Sequence, residues 1–216
     1  MSTENIFFMQ CQNPKCELRF PLDLAQFGGK FCPRCGGELS KDIPRVASQS
    51  FQATINSPRR LIAVLDNLRS AHNVGSIFRS ADGAAFSHLH LGGITPKPDT
   101  NHAIAKTALG AESLVPWSYN PNTPDLLKQL KNDGATLLVL ESVPQAQSLY
   151  ALDSRSIDLK QDLVLVVGNE PAGVDPKIIS LADQCLYIPM LGKKDSLNVA
   201  IAFSIAAYHL RFGLLS

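Results

Sequence analysis

Apolar residues are arranged in two different ways along this chain. Over residues 1–40 they are sparse: Phe20, Leu22, Leu24, Phe27 and Phe31 stand among polar and glycine positions, too few to build a core unaided. From Leu61 the pattern becomes short apolar runs separated by helical spacings. Leu61–Leu65, His88–Leu91, Leu114–Tyr119, Thr136–Leu140, Leu163–Val167 and Cys185–Met190 read as strands. Between them Val74–Ala85 has Val74, Ile77, Phe78, Ala81 and Ala85 at helical spacing, and Pro124–Lys131, Pro176–Ala182 and Leu197–Phe212 read as further helices. This alternation predicts an α/β fold, a mostly parallel sheet with helices on both faces and ligands at the carboxyl ends of its strands. Residues 41–60, with Ser48, Ser50, Asn56, Ser57 and Pro58, read as a linker or arm. The expected organisation is a small module over 1–40, the linker over 41–60 and the α/β domain over 61–216.

Composition narrows the class. A chain of 216 residues with 45% hydrophobic and 18% charged residues is neither disordered nor a membrane bundle. No apolar run reaches a membrane span and Met1–Gln10 lacks a basic segment, so no export signal, no membrane partner and a cytoplasmic location are expected. The net charge of +1 means that a nucleic-acid partner would need a local basic patch.

Four of the five cysteines fall in the first 35 residues, as Cys11-x4-Cys16 and Cys32-x2-Cys35. Zn²⁺ takes four soft ligands in a tetrahedron, and four cysteines leave no open position for catalysis. Cys11, Cys16, Cys32 and Cys35 are therefore expected to hold a structural zinc in a small ribbon, with metal binding supplying the folding energy that its few apolar residues do not. Cys185, within an apolar strand, reads as a core residue.

Three stretches hold the candidate chemistry, each where a strand ends. In Asp66–Arg79, Asn73 is expected to cap the following helix. Gly75 and Arg79, one turn apart, are expected to leave room for a substrate beneath a guanidinium. In Leu163–Val174, Gly168 closes a buried strand and should allow a flat ligand to approach, followed by Asn169, Glu170, Pro171 and Gly173. In Ile188–Ala202, a loop around Gly192 is followed by Asp195 and Ser196 as expected caps of the last helix. No G-x-G-x-x-G and no Walker glycine–lysine run occurs, which disfavours dinucleotide and P-loop chemistry.

Taken in order, Asn73-x-Gly75 with Arg79, Gly168-Asn169-Glu170-x-x-Gly173, and Ile188-Pro189-Met190 with Ser196-Leu197-Asn198-Val199-Ala200 resemble the three motifs of the SpoU/TrmH family. Its members are S-adenosylmethionine-dependent RNA ribose 2′-O-methyltransferases of the SPOUT superfamily. The resemblance runs from about Leu61 onward and leaves the cysteine module outside it. It implies a parallel sheet whose C-terminal part forms a deep trefoil knot, a homodimer, and a tRNA or rRNA substrate. It also implies cofactor contacts at Glu141, Gly168, Asn169, Ile188, Met190, Ser196, Leu197 and Asn198, and catalytic or substrate-orienting roles for Arg79 and Asn73. A guanidinium stays protonated in proteins, so Arg79 is better suited to hold a phosphate and stabilise alkoxide charge than to act as a base. Lys193, Lys194, Arg69 and Lys106, with Lys15, Lys30 and Arg34 on the module, are candidates for a phosphate rim. The alternative from another class is a non-catalytic RNA-binding protein that keeps the knotted fold.

Overall fold

The structure is a computed structural model that describes residues 5–47, 49, 51, 53–54, 59–153, 157 and 161–214. It divides into two compact units, Met1–Thr54 and Ile55–Ser216.

In the first unit, β1 (Ile6–Cys11) lies between β2 (Arg19–Asp23) and β3 (Leu39–Pro44) in an antiparallel sheet. Lys41–Pro44 thus belong to a strand of this unit. Much of the rest of the expected linker, including residues 55–58, lies outside the described residues. The unit has little to bury: Met9, Cys11 and Cys32 are its buried apolar side chains among the described residues. Its sheet is edged by cations resting on aromatic faces, Lys41 on Phe7 at 3.4 Å and Arg19 on Phe8 at 5.6 Å.

The second unit opens with β4 (Leu61–Asp66), buried at every position because helices cover both of its faces. Next come α1 (Ala71–Gly83), β5 (His88–Gly92), the short α2 (Ala105–Ala108), β6 (Trp117–Asn120), α3 (Thr123–Asn132) and β7 (Thr136–Leu140). The two-residue β8 (Gln147–Ser148), β9 (Leu163–Val167), α4 (Pro176–Leu181), β10 (Gln184–Tyr187) and α5 (Val199–Tyr208) complete it. The seven strands are ordered β6-β5-β4-β9-β7-β10-β8, and every pairing is parallel. Alternate residues of β4 divide the core. Leu61, Ala63 and Leu65 pack with α1 and α5 through Ile77, Phe78, Phe203 and Ala207, whereas Ile62 and Val64 pack with α3 and α4 through Leu127 and Ile178.

Several boundaries differ from expectation, each for a local reason. Helix α1 starts earlier because Ser70, not Asn73, is its cap: the Ser70 hydroxyl accepts from the Asn73 amide at 3.2 Å. Helix α5 starts later because its cap is Asn198, whose side chain accepts from the amides of Ala200 and Ile201. Asp195 and Ser196 remain in the exposed loop before it. The helix then loosens into a π-helical turn over His209–Leu214. Strand β10 stops at Tyr187, just before a segment where Pro189 has no amide hydrogen for a ladder. Leu114 finishes the 3₁₀ turn Ala111–Ser113 instead of starting β6.

Candidate active site and metal centre

At the carboxyl ends of β9, β7 and β10 the loops surround a cleft of about 490 Å³, within the roughly 300–1,000 Å³ common for small-molecule sites. All eight positions expected at the cofactor line it: Glu141, Gly168, Asn169, Ile188, Met190, Ser196, Leu197 and Asn198. Leu140, Val167, Leu186 and Ala202 add an apolar wall suited to a flat ring. Among the described residues, no protein partner takes the backbone hydrogen-bonding groups of residues 189–196, which leaves them free for a ligand's polar edge. This combination of apolar wall and open backbone fits an adenosine moiety.

The cleft is braced from both sides. Glu141, at the end of β7, accepts from the amides of Ser142 at 3.0 Å and Val174 at 2.9 Å, tying that strand to the loop after β9. Asn169 donates to the Asn67 carbonyl at 2.6 Å and accepts from the Ala172 amide at 3.0 Å. Asn67 itself sits at φ 57°, a left-handed conformation that asparagine tolerates better than most residues.

The three motif segments meet in one chain of hydrogen bonds. The Glu170 carboxylate accepts from the amides of Arg69 at 2.9 Å and Ser70 at 3.2 Å, and from Asn73 Nδ2 at 3.0 Å. Asn73 Oδ1 accepts from Asn198 Nδ2 at 3.0 Å, and Asn198 Oδ1 caps α5. The polarity of this chain is self-consistent. A carboxylate only accepts, so Asn73 must turn its NH₂ toward Glu170 and its oxygen toward Asn198. Burial alone would raise the Glu170 carboxyl, but the hydrogen bonds from Arg69, Asn73 and Ser70 outweigh it and hold the group below its ordinary value. In the sequence Glu170 stands within the second motif but carries no role of its own, because its partners lie about 100 positions away. Its place three residues after the end of a buried strand was the available signal.

Beside the cleft, across Asn198, lies a second hollow lined by Asn73, Ser76, Arg79, Lys106, Thr107 and Ile201. Arg79 is exposed there, and among the described residues no ion pair fixes its guanidinium. At its floor Ser80 and Ser204 share a hydrogen bond at 2.6 Å between α1 and α5. Lys193 and Lys194 lie in the exposed loop around Gly192, and His72 is also exposed.

Two glycines act differently from expectation. Gly75 is buried, and a Cβ there would collide with Thr107 Oγ1 and the Ile104 carbonyl, so it seats α1 against α2 and leaves no room for a substrate. At Gly168 a Cβ would come within 2.6 Å of Val174 Cγ2 and 2.7 Å of the Gly173 carbonyl. Its bareness first serves the tight Asn169–Gly173 turn, although the residue also faces the cleft.

In the N-terminal unit the Sγ atoms of Cys11, Cys16, Cys32 and Cys35 all lie within 4.8 Å of one another. Cys11 and Cys35 are 3.5 Å apart, and Cys16 and Cys32 are 3.8 Å apart. Four thiolates about 2.3 Å from a central Zn²⁺ span tetrahedral edges of about 3.8 Å, so the donor set fits that ion. The Gly37 amide donates to Cys35 Sγ at 3.4 Å. That bond leads the influences bringing the Cys35 thiol down to about 7; Cys11 moves the other way, since the backbone hydrogen bond from Asn13 that would lower it is outweighed by burial and its three cysteine neighbours.

A family model described as the SpoU rRNA Methylase family matches residues 60–208. The chain is 32% identical over 152 residues to the 23S rRNA (guanosine(2553)-2′-O)-methyltransferase RlmP of Bacillus subtilis (strain 168), covering 70% of this chain and 58% of that protein. It is 33% identical over 159 residues to the tRNA (guanosine(18)-2′-O)-methyltransferase of Aquifex aeolicus (strain VF5), covering 68% of this chain and 67% of that protein. Among solved structures, an AdoMet-bound rRNA methyltransferase from Sinorhizobium meliloti superposes with a TM-score of 0.62 at 28% identity, covering 84% of this chain and 67% of that one. The matched region thus spans little more than half the length of the Bacillus relative.

Proposed function

This chain belongs to the SpoU rRNA methylase family, and we propose that it transfers the methyl group of S-adenosylmethionine to a ribose 2′-hydroxyl of tRNA or rRNA. One observation carries the reading: the Glu170–Asn73–Asn198 chain joins all three motif segments and sets the Arg79 hollow directly against the cleft.

S-adenosylmethionine supplies a methyl group already activated on a sulfonium, so the protein has to align the acceptor oxygen and manage its proton. The apolar wall and open backbone of the cleft hold the adenosine end. Asn73, locked at both ends of its amide, fixes the geometry of the border between cleft and hollow. Arg79, exposed and positive, holds a phosphate next to the target ribose and stabilises the charge that develops on its oxygen. The proton leaves to that phosphate or to water.

Three further features belong to the proposal. The C-terminal segment is threaded as a trefoil knot, a reading supported by β10 lying outside β7 before α5 returns to pack on α1. The enzyme works as a homodimer, for which α5 and the π-helical turn after it offer an outer face with Ile201, Tyr208 and Phe212 at 53%, 47% and 41% exposure; a monomeric mass in light scattering would refute this. The four cysteines hold one structural Zn²⁺. No helix among the described residues is long and apolar enough to cross a membrane, and a cytoplasmic location follows from the proposed RNA substrate.

Calorimetry with S-adenosylmethionine and S-adenosylhomocysteine tests the core of this reading, since binding of neither would overturn it. Ribose-methylation mapping of total RNA from cells with and without the gene then identifies the target nucleotide.

A further inference from the structure

The carboxyl edge of the sheet is occupied unevenly. The cleft takes the ends of β9, β7 and β10. On the other side of Asn73 and Glu170, the ends of β4, β5 and β6 present a different surface. Tyr119, near the end of β6, is 44% exposed, and Ile94, just after β5, is 67% exposed. The Lys97 ammonium stands 4.8 Å from the centre of the Tyr119 ring.

An exposed tyrosine alone means nothing, because apolar atoms make up much of any protein surface. Here the ring is held in place. Its hydroxyl donates to the Gly93 carbonyl at 3.0 Å, and the Gly93 amide donates to the Asn120 carbonyl at 3.0 Å. The same loop is bonded to the motif segment that contacts Glu170. The Ile94 amide donates to Asn67 Oδ1 at 3.2 Å, and Thr95 Oγ1 accepts from the Leu68 amide at 3.0 Å while donating to the Leu65 carbonyl at 2.9 Å. Tyr119 is in register with Leu91, which faces the α1 side of the sheet, so the ring stands on the side that also carries Arg79 and Lys106. The ring is therefore joined to the Asn67–Leu68 segment through the hydrogen-bonded 93–95 loop, and the ammonium lies against the ring. Tyr119 lies two strand intervals, roughly 10 Å, from the end of β4, a span that a single-stranded nucleic acid covers in a few nucleotides.

A fixed aromatic face with a cation above it matches the stacking platforms that hold unpaired bases, and the position favours the RNA strand over a protein partner. We propose that Tyr119 and Lys97 form a subsite for a nucleotide flanking the methylated one, with its base stacked at Tyr119 and its phosphate met by Lys97. This rests on the RNA-methyltransferase reading above.

The test measures methyl transfer from tritiated S-adenosylmethionine to total RNA isolated from cells lacking the gene. Tyr119→Leu should raise the KM for RNA by about 10-fold while leaving the affinity for S-adenosylmethionine unchanged and melting no earlier than Tyr119→Phe, which loses the same hydrogen bond to Gly93. Tyr119→Phe keeps the aromatic face and should restore the KM. Lys97→Ala should flatten the dependence of RNA binding on salt. A wild-type KM in Tyr119→Leu overturns the subsite, as does a Tyr119→Leu protein that melts earlier than Tyr119→Phe or loses cofactor affinity, because the ring would then be structural. If the wild-type enzyme labels no RNA, the methyltransferase reading falls and takes the subsite with it.

Discussion

Asn198 Nδ2 lies 3.0 Å from Asn73 Oδ1, although the two residues are 125 positions apart in the chain. Each amide does two things at once. Asn73 joins Glu170 to Asn198, and Asn198 joins Asn73 to the first turn of α5. Disturbing either end moves the border between the cleft and the Arg79 hollow.

Glu170→Gln replaces an acceptor of three hydrogen bonds by a group that must present an NH₂ to at least one donor. Methyl transfer should fall on the order of 100-fold, the scale of loss that small misplacements at a reacting centre produce. The same variant gives a pH signature. The Glu170 carboxyl is depressed in the fold, so its contribution to stability is fully present above the unfolded value of about 4.3 and is lost as pH falls through the lower folded value. Melting curves between pH 6 and pH 3 should show the wild type losing stability on acidification more steeply than Glu170→Gln; parallel curves would refute the assignment.

Arg79→Lys should keep part of the activity, since an ammonium can still meet a phosphate and an alkoxide. Arg79→Ala should lose about 10²–10³ in kcat with cofactor affinity intact. A dead Lys variant that still binds RNA and cofactor normally would mean that the guanidinium has a role beyond charge.

Gly75→Ala should act on stability. The added Cβ meets Thr107 Oγ1 and the Ile104 carbonyl, and such overpacking costs about 1–3 kcal/mol. For a chain of this size that is a melting shift of about 2–4 °C per kcal/mol. Calorimetry should find S-adenosylmethionine still bound at temperatures where the variant is folded.

Elemental analysis of the purified protein should find one zinc per chain, lost in Cys35→Ser. Structural zinc sites contribute an apparent 10–16 kcal/mol or so to folding, far more than the N-terminal unit's few buried apolar side chains supply. Chelation should therefore make residues 5–47 sensitive to protease while leaving cofactor binding by the second unit in place. A protease-resistant apo unit would show that the thiols are not its staple.

The parts of this architecture legible in the sequence were those set by local chemistry. Leu163–Val167 and Thr136–Leu140 are apolar throughout because both faces of a parallel sheet are covered, and the structure forms strands over those same residues. The four cysteines converge as their spacing implied. What stayed hidden depended on distant partners. Asn73 looks like a cap, but its side chain is drawn to Glu170 and Asn198, and Ser70 takes the cap. Gly75 looks like open space for a ligand, yet Thr107, 32 positions further along, fills it. The role of Glu170 became visible only once the loop after β9 lay beside the loop after β4.

The guanidinium of Arg211 is buried, and it donates to the carbonyls of Ala84 at 2.8 Å and Ala85 at 2.6 Å, closing the end of α1. The helix that bears Asn73 and Arg79 is thus completed by a residue 127 positions downstream of Ala84. At about 5–20 residues per second, a ribosome takes roughly 6–25 s to cover that distance. When that interval begins the nascent chain has Asn73 and Arg79 but neither Glu170 nor Asn198, and the clamp on α1 comes last. The proposed site can therefore close only after α5 has been made, so synthesis itself sets the order in which its three segments meet.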